Sequence, residues 1–462
     1  MKSTTTFYIF LILTAFIGFS LLTGGCAQIG MPIGGPKDTL SPKLIKANPQ
    51  DGIRNVATNK ITLEFNEYID VQDLQQNLII SPLQNRNPSV IANPKSITLK
   101  FRDTLLPNTT YTINFGDAVR DINENNVYKG LTYTFSTGNT IDSLSLSGKA
   151  LLAETGLADT TMLVMLYRNA TDSTVQKKKP SYISRVQRDG NFSFNNLPAV
   201  PFRIYALKDG DAGKTYNSLS EPFGFRNEEV LPGKDDDIIL YAYSQEKAID
   251  NRTTVPVKGI VDKRLRYTVT VQQKQSLIDP LEIDFNNPLK EADSNKIFIT
   301  DTLFRKVTGT KFSLDSTAKK IFIRSAWKPD EALVLIVQKD AVKDSSGTAL
   351  TRTDTIRFVT KKTEDYGKLT LRFNGIDIKR NPVLQFLLGP ILKFSYPLVS
   401  TEWTNSMFPP GDYTVRILYD RDKNGVFTPG NYLKKQQPEI AVTLPQTLNV
   451  RSDWDNERDV DL

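Results

Sequence analysis

One stretch of the chain offers the residue types that hold a hard cation. Asp420-Arg421-Asp422-Lys423-Asn424-Gly425 places side-chain oxygens at loop positions 1, 3 and 5 and a glycine at position 6. Calcium takes roughly six to eight oxygen ligands, and the glycine allows the sharp turn that gathers them. Position 12 of such a loop should be a bidentate Glu; here it is Asn431, and Phe427-Thr428-Pro429-Gly430 would break a following helix. The alternative is a polar turn between strands, where Asp, Asn and Gly are favoured by their backbone geometry. Asp209-Gly210-Asp211-Ala212-Gly213 is a poorer copy of the same pattern. Paired carboxylates could also do acid–base work on glycosides. Glu64 and Glu67, the obvious pair, are three apart in a strand-like segment, so they should point to opposite faces. The three tryptophans, Trp327, Trp403 and Trp454, are scattered and mark no aromatic cleft.

Other chemistries are excluded by subtraction. The 462 residues contain no histidine and one cysteine. That removes Ser-His-Asp and Cys-His catalysis, histidine zinc sites, disulfide frameworks and CxxC redox pairs. No catalytic set emerges, so the chain reads as a non-enzyme. Calcium at Asp420, Asp422 and Asn424 is the one cofactor suggested.

Lys and Arg number 58 against 51 Asp and Glu. The single run of three basic residues, Lys177-Lys178-Lys179, sits beside Pro180 in a loop-like stretch. A nucleic-acid binder clusters its basic residues or interleaves them with stacking aromatics. No such clustering exists here, and nucleic acid is not expected as a partner.

The N-terminus speaks to location. Lys2 precedes a 16-residue apolar run, Phe7 to Leu22, which ends in Thr23-Gly24-Gly25-Cys26. The run is short for a spanning helix, which needs roughly 20 apolar residues, and fits a signal peptide. Small residues directly before a cysteine resemble the bacterial lipobox, with Leu22 one position earlier than usual. That resemblance implies cleavage of residues 1–25 and a palmitate-type lipid on Cys26, the sole cysteine. Two or more acyl chains make a stable anchor without a transmembrane helix. Residues 26–41 then form a Gly/Pro-rich tether. No Asp follows Cys26, which points away from inner-membrane retention and towards the outer membrane; which face is left open.

Beyond residue 42 the pattern is β. Ile61-Thr62-Leu63-Glu64-Phe65, Ile97-Thr98-Leu99-Lys100-Phe101 and Leu369-Thr370-Leu371-Arg372-Phe373 alternate apolar and polar residues. Such alternation puts one face of a strand on a core. Turn pairs such as Asp189-Gly190, Ser346-Gly347 and Gly389-Pro390 punctuate the strands. Short helical turns are expected near 71–76 and 291–293. Phe386 to Tyr396 reads as a strongly apolar hairpin, with one face in a core and the other either buried or a docking patch.

The chain also repeats itself. Leu63-Glu64-Phe65-Asn66 is echoed by Ile283-Asp284-Phe285-Asn286, and Asn77-Leu78-Ile79-Ile80 by Lys296-Ile297-Phe298-Ile299. Asp117–Asp121 is echoed by Asp340–Asp344, and Tyr133–Thr137 by Ile356–Thr360, with offsets of 220, 219, 223 and 223. Arg203-Ile204-Tyr205 before Asp209 is matched by Arg416-Ile417-Leu418 before Asp420. The expectation is an all-β chain of four tandem sandwiches, A-B-A′-B′, at 42–138, 139–250, 257–362 and 363–462. Each is near the roughly 100 residues of an Ig-like sandwich.

Module A carries Asn48-Pro49-Gln50-Asp51-Gly52, Asn55-Val56, Ile61–Glu67 and Leu106-Pro107-Asn108-Thr109-Thr110-Tyr111. These resemble the bacterial Ig-like domain of S-layer-type proteins; A′ matches more faintly, with Asn287 in place of Glu67. Module B carries Asp189-Gly190-Asn191-Phe192-Ser193-Phe194, Asn196-Leu197-Pro198 and Tyr205–Asp209. It is similar to the transthyretin-like or carboxypeptidase-regulatory-like sandwich, as is B′ through Phe408–Arg416. Neither type carries catalytic residues, so the resemblance implies architecture. The role expected is an interaction or structural module of a cell-envelope assembly, an accessory to an outer-membrane β-barrel protein. The alternative is a surface lipoprotein that binds glycan or peptidoglycan.

Overall fold

The computed structural model describes residues 37–246, 264–271 and 274–462. Cys26, the apolar run before it and most of the tether lie outside them. The chain divides into two compact units, one made chiefly of residues up to 141 and the other of 142–462. The architecture is all-β, and among the described residues no helix is long and apolar enough to cross a membrane.

In the first unit, strands Leu44–Asn48, Lys60–Phe65, Ser96–Lys100 and Ser89–Asn93 form a sheet in that order. A second sheet joins Ile79–Ser81, Thr110–Asn114 and Thr132–Ser136, and Ile69–Val71 pairs with Val119–Asp121. The alternation works as the sequence requires. Ile61, Leu63 and Phe65 are buried, opposite Leu99 and Ile97 across the sheet. Tyr111 and Phe135 stack at 5.2 Å in the same core. The buried phenols are hydrogen-bonded: Tyr111 accepts from Leu106 N, and Tyr133 donates to Pro49 O. Burial raises the pKa of both.

The second unit repeats this plan and then adds another. Tyr267–Val269, Leu281–Phe285, Lys320–Arg324 and Lys311–Leu314 reproduce the first sheet. Ile297–Asp301, Ala332–Val337 and Asp354–Thr360 reproduce the second, and Leu289–Ala292 with Val342–Asp344 the short pair. The helical turn expected near 71–76 is found at Leu74–Asn77. The one expected near 291–293 is instead strand Leu289–Ala292, because Leu289 and Ala292 join the A′ core.

The B and B′ sandwiches are also copies of each other. In B, Leu144–Leu152 lies between Asn191–Leu197, antiparallel, and Ile238–Ala242, parallel. In B′, Gly367–Asn374 lies between Glu402–Phe408 and Asp455–Asp461 with the same two senses. The opposing sheets run Tyr182–Arg185, Leu163–Tyr167, Arg203–Leu207, Phe223–Phe225 and Ile391–Pro397, Pro382–Leu388, Gly411–Tyr419, Ile440–Thr443. The duplicated arrangement is therefore carried by topology as well as by sequence echoes.

B and B′, separated in sequence by A′, pack directly on each other. All five residues of Leu163–Tyr167 are buried, so this strand is covered on both faces. One face is B's own core; the other faces B′. Tyr432 of B′ lies at 5.1 Å from both Phe223 and Phe225, and its hydroxyl donates to Asp172 O. Tyr205 and Tyr432 hydroxyls are 3.2 Å apart. Backbone joins in: Ala441 N donates to Ala153 O, and Arg416 donates to Glu154 O. Gly156 (φ +68°) is pressed so close that a Cβ would sit 2.3 Å from Ala441 O. Large aromatics buried in this way contribute about 1.5–3 kcal/mol each.

The apolar hairpin has both characters. Phe386 is fully buried, Phe394 and Tyr396 are half-buried, and Leu388, Ile391 and Leu392 at the tip are exposed.

Candidate metal centre

Strand Gly411–Tyr419 ends against the floor of B′ and delivers Asp420 into a buried position, 2% exposed. The chain then turns sharply. Asp420 accepts from Asn424 N at 3.2 Å and Gly425 N at 2.7 Å, and Gly425 takes φ +79°. Asp422 accepts from the Thr428 hydroxyl at 2.7 Å, which holds its carboxyl below its ordinary value. The third carboxylate is Glu439, which immediately precedes strand Ile440–Thr443. It is 3% exposed and accepts from Arg421 N and Thr428 N at 2.7 and 2.8 Å. Asp420, Asp422 and Glu439 each bring an oxygen within 4.8 Å of the others.

Asn424 is placed differently. Its carboxamide oxygen accepts from Val426 N, and its amide donates to Thr428 Oγ1. It braces the loop beside the three carboxylates. Asn431, at loop position 12, accepts from Lys434 N and belongs to the segment that carries Tyr432. Glu439 was missed by the sequence reading because it lies beyond that segment, outside a twelve-residue loop.

Module B assembles the same triad from Asp209, Asp211 and Glu221. Glu221, 8% exposed, accepts from Gly210 N and Ser218 N, as Glu439 does from its own loop. Asp211 accepts from the Asn217 amide at 2.6 Å, which holds its carboxyl low. Asp209 accepts from Lys214 N through one oxygen, while its Oδ1 is buried with no hydrogen-bond partner. Burial, then the neighbouring Asp211 and Glu221, push its carboxyl upward. In both modules the carboxylates converge without a cation-bearing side chain inside the triad, an arrangement suited to an oxygen-liganded divalent ion.

The glutamates read as a possible acid–base pair are dispersed. Glu64 lies 3.7 Å from Lys46 on a sheet surface. Glu67 follows the strand end, and burial together with Asp38 and Asp121 raises its carboxyl.

Comparison with curated proteins gives no match. Solved structures similar in part include alpha-2-macroglobulin from Escherichia coli, at 14% identity and TM-score 0.21. That likeness covers 40% of this chain and 72% of the other. The Bacillus anthracis TIE protein is similar at 9% identity, 94% and 76% coverage and TM-score 0.17. The S-layer protein SbsC is similar at 10% identity, 87% and 54% coverage and TM-score 0.17. Scores this low carry no inference about role. In the sequence itself, residues 38–137 match the model of a family described as the bacterial Ig-like domain.

Proposed function

We propose that the chain is a non-catalytic module of a cell-envelope assembly, held at the outer membrane by a lipid on Cys26. It serves there as an accessory to an outer-membrane β-barrel protein. The observation that carries this reading is the B–B′ seam. Two sandwiches far apart in sequence share buried aromatics and backbone hydrogen bonds. That seam makes a stiff surface of the kind that holds a partner in register. The bacterial Ig-like match over residues 38–137 supports a structural or interaction role. Affinity purification of the detergent-solubilised protein from its native membrane, followed by mass spectrometry, tests it. A β-barrel protein should be recovered reproducibly with the chain; the chain recovered alone would refute it.

A divalent cation, calcium by ligand chemistry, belongs to the same proposal at Asp420 and Asp422, with Asn424 bracing the loop and Glu439 completing the carboxylates. It would fix the loop that bears Tyr432 and so stiffen the seam. Saturating calcium at about 100 times its dissociation constant would add about 2.7 kcal/mol, or roughly 5–10 °C in melting temperature. A melting temperature indifferent to calcium and to chelator would remove the cation from the account.

A further inference from the structure

Behind the Asp420 loop, on the B′ side, is a cavity of about 260 Å³. Its lining includes Lys379, Arg380, Asn381, Tyr419, Arg421 and Glu439. Three cations around one small cavity are unusual unless carboxylates neutralise them, and here carboxylates do not. Arg380 lies over the Tyr419 ring, 4.1 Å from its centroid. Arg421 donates to the backbone oxygen of Gln437 at 3.3 Å. Among the described residues, neither arginine nor Lys379 has a carboxylate within ion-pair distance. Glu439, the one acid in the lining, already accepts from the backbone N–H groups of Arg421, Asp422 and Thr428. Asp377 is occupied too, accepting from Lys379 N at the start of the short turn that presents both basic residues.

Pro438 and Ile440 also line an adjoining hollow of about 600 Å³ on the seam with B, whose lining includes Tyr241, Asn227 and Gln437 and the charged residues Arg226, Glu228, Asp236 and Asp237. That volume lies within the roughly 300–1,000 Å³ of small-ligand sites. Those carboxylates accept hydrogen bonds from hydroxyls, so the anionic group of a ligand belongs at the Lys379–Arg380–Arg421 end. Amide and phenol groups can both give and accept hydrogen bonds, as hydroxyl-rich ligands demand. Guanidinium groups suit planar or tetrahedral oxyanions.

We propose that this trough binds an acidic saccharide, its phosphate or carboxylate held by Lys379, Arg380 and Arg421 and its hydroxyls by the Tyr241 side. The site is independent of the envelope-assembly role, and its test needs no partner protein. Isothermal titration and saturation-transfer NMR on the purified full chain would use glucose 6-phosphate, glucuronate, glucose and inorganic phosphate. At least one of the two sugar acids should bind, and glucose at least about tenfold more weakly, a difference of about 1.4 kcal/mol. The better of the two acids distinguishes a phosphorylated from a uronate-type source. The double variant Lys379→Gln/Arg380→Gln should lose binding about tenfold or more, and Lys177→Gln, on the short helix Thr174–Lys177 and outside both linings, should not. All these side chains are exposed, so the variants should melt as the parent does; if the double variant does not, Arg421→Gln serves in its place. Absence of binding by both acids, or binding undiminished in the variants, overturns the site. Inorganic phosphate binding as tightly as glucose 6-phosphate overturns the saccharide.

Discussion

The acidic loops of B and B′ start from the same frame and end with different tasks. In both, two aspartates two residues apart leave a strand and meet a buried glutamate that precedes the next strand. Glu221 lies ten positions after Asp211; Glu439 lies seventeen after Asp422. The longer B′ loop contains Gly430, Tyr432, Lys435 and Gln437, all of which reach B. A Cβ on Gly430 would come within 2.6 Å of Tyr243 and 2.7 Å of Gln436 O, so the loop is seated against B without spare room. The repeated frame is therefore a rigid base, and the added length on one copy turns it into a clamp. The two loops also differ in charge balance: Asp209 keeps a buried, unpartnered oxygen, whereas both oxygens of Asp420 accept backbone hydrogen bonds.

The strongest way to break this comparison is to remove the clamp. Tyr432→Ala empties an aromatic pocket and should cost about 3–5 kcal/mol, the range for large buried aromatics. Chemical denaturation should then resolve B and B′ as separate transitions. Module B's shorter loop carries its own buried aromatic, Tyr216, which stacks on Phe223 at 4.1 Å and meets Tyr432 edge-on at 6.4 Å, so Tyr432→Ala also strips a contact from that loop. Next in size is the effect on cation binding. Glu439→Gln should abolish the calcium-dependent rise in melting temperature attributed to B′ and leave any contribution from B intact. Glu221→Gln should do the reverse, and differential scanning calorimetry with calcium and with chelator separates the two.

A pH experiment sharpens the comparison further. Asp159 supports the B sandwich through Lys208, 2.8 Å away, and Thr161. Burial opposes its ionisation, but these partners prevail and take its pKa from 3.8 to about 2. A depressed carboxylate stabilises the fold above its unfolded value and loses that contribution as pH falls from about 4 towards 2. In the Tyr432→Ala background, where the two transitions separate, Asp159→Asn should flatten the acid limb of B's unfolding and leave that of B′ unchanged. The smallest effect expected is for Lys435→Ala. Its 2.6 Å contact with Asp172 is partly exposed, and such pairs contribute about 0–1 kcal/mol.

Much of the fold was legible because period-two patterning survives in both copies: Ile61, Leu63 and Phe65 recur as Leu281, Ile283 and Phe285, all buried. Turn glycines were legible for the same local reason; Gly190, Gly347 and Gly389 all take positive φ. Asp420 and Asp422 could be read because they are close in sequence. Glu439 could not, since an insertion carries it out of loop spacing, although an acid just before a strand in both B and B′ was an available signal. The seam was hidden for a different reason, since contact between separated modules leaves no period. Its trace was the uninterrupted run Leu163-Val164-Met165-Leu166-Tyr167, which is too apolar for an antiparallel strand with one wet face.

The proposed role depends on B and B′ moving as one body. Spin labels on exposed Ser147→Cys in B and Ser406→Cys in B′, with Cys26→Ser leaving these as the two cysteines of an unlipidated chain, would report this by pulsed electron–electron double resonance. The account predicts a single narrow distance distribution that broadens when Tyr432→Ala is added. A distribution already broad with Tyr432 in place would contradict it.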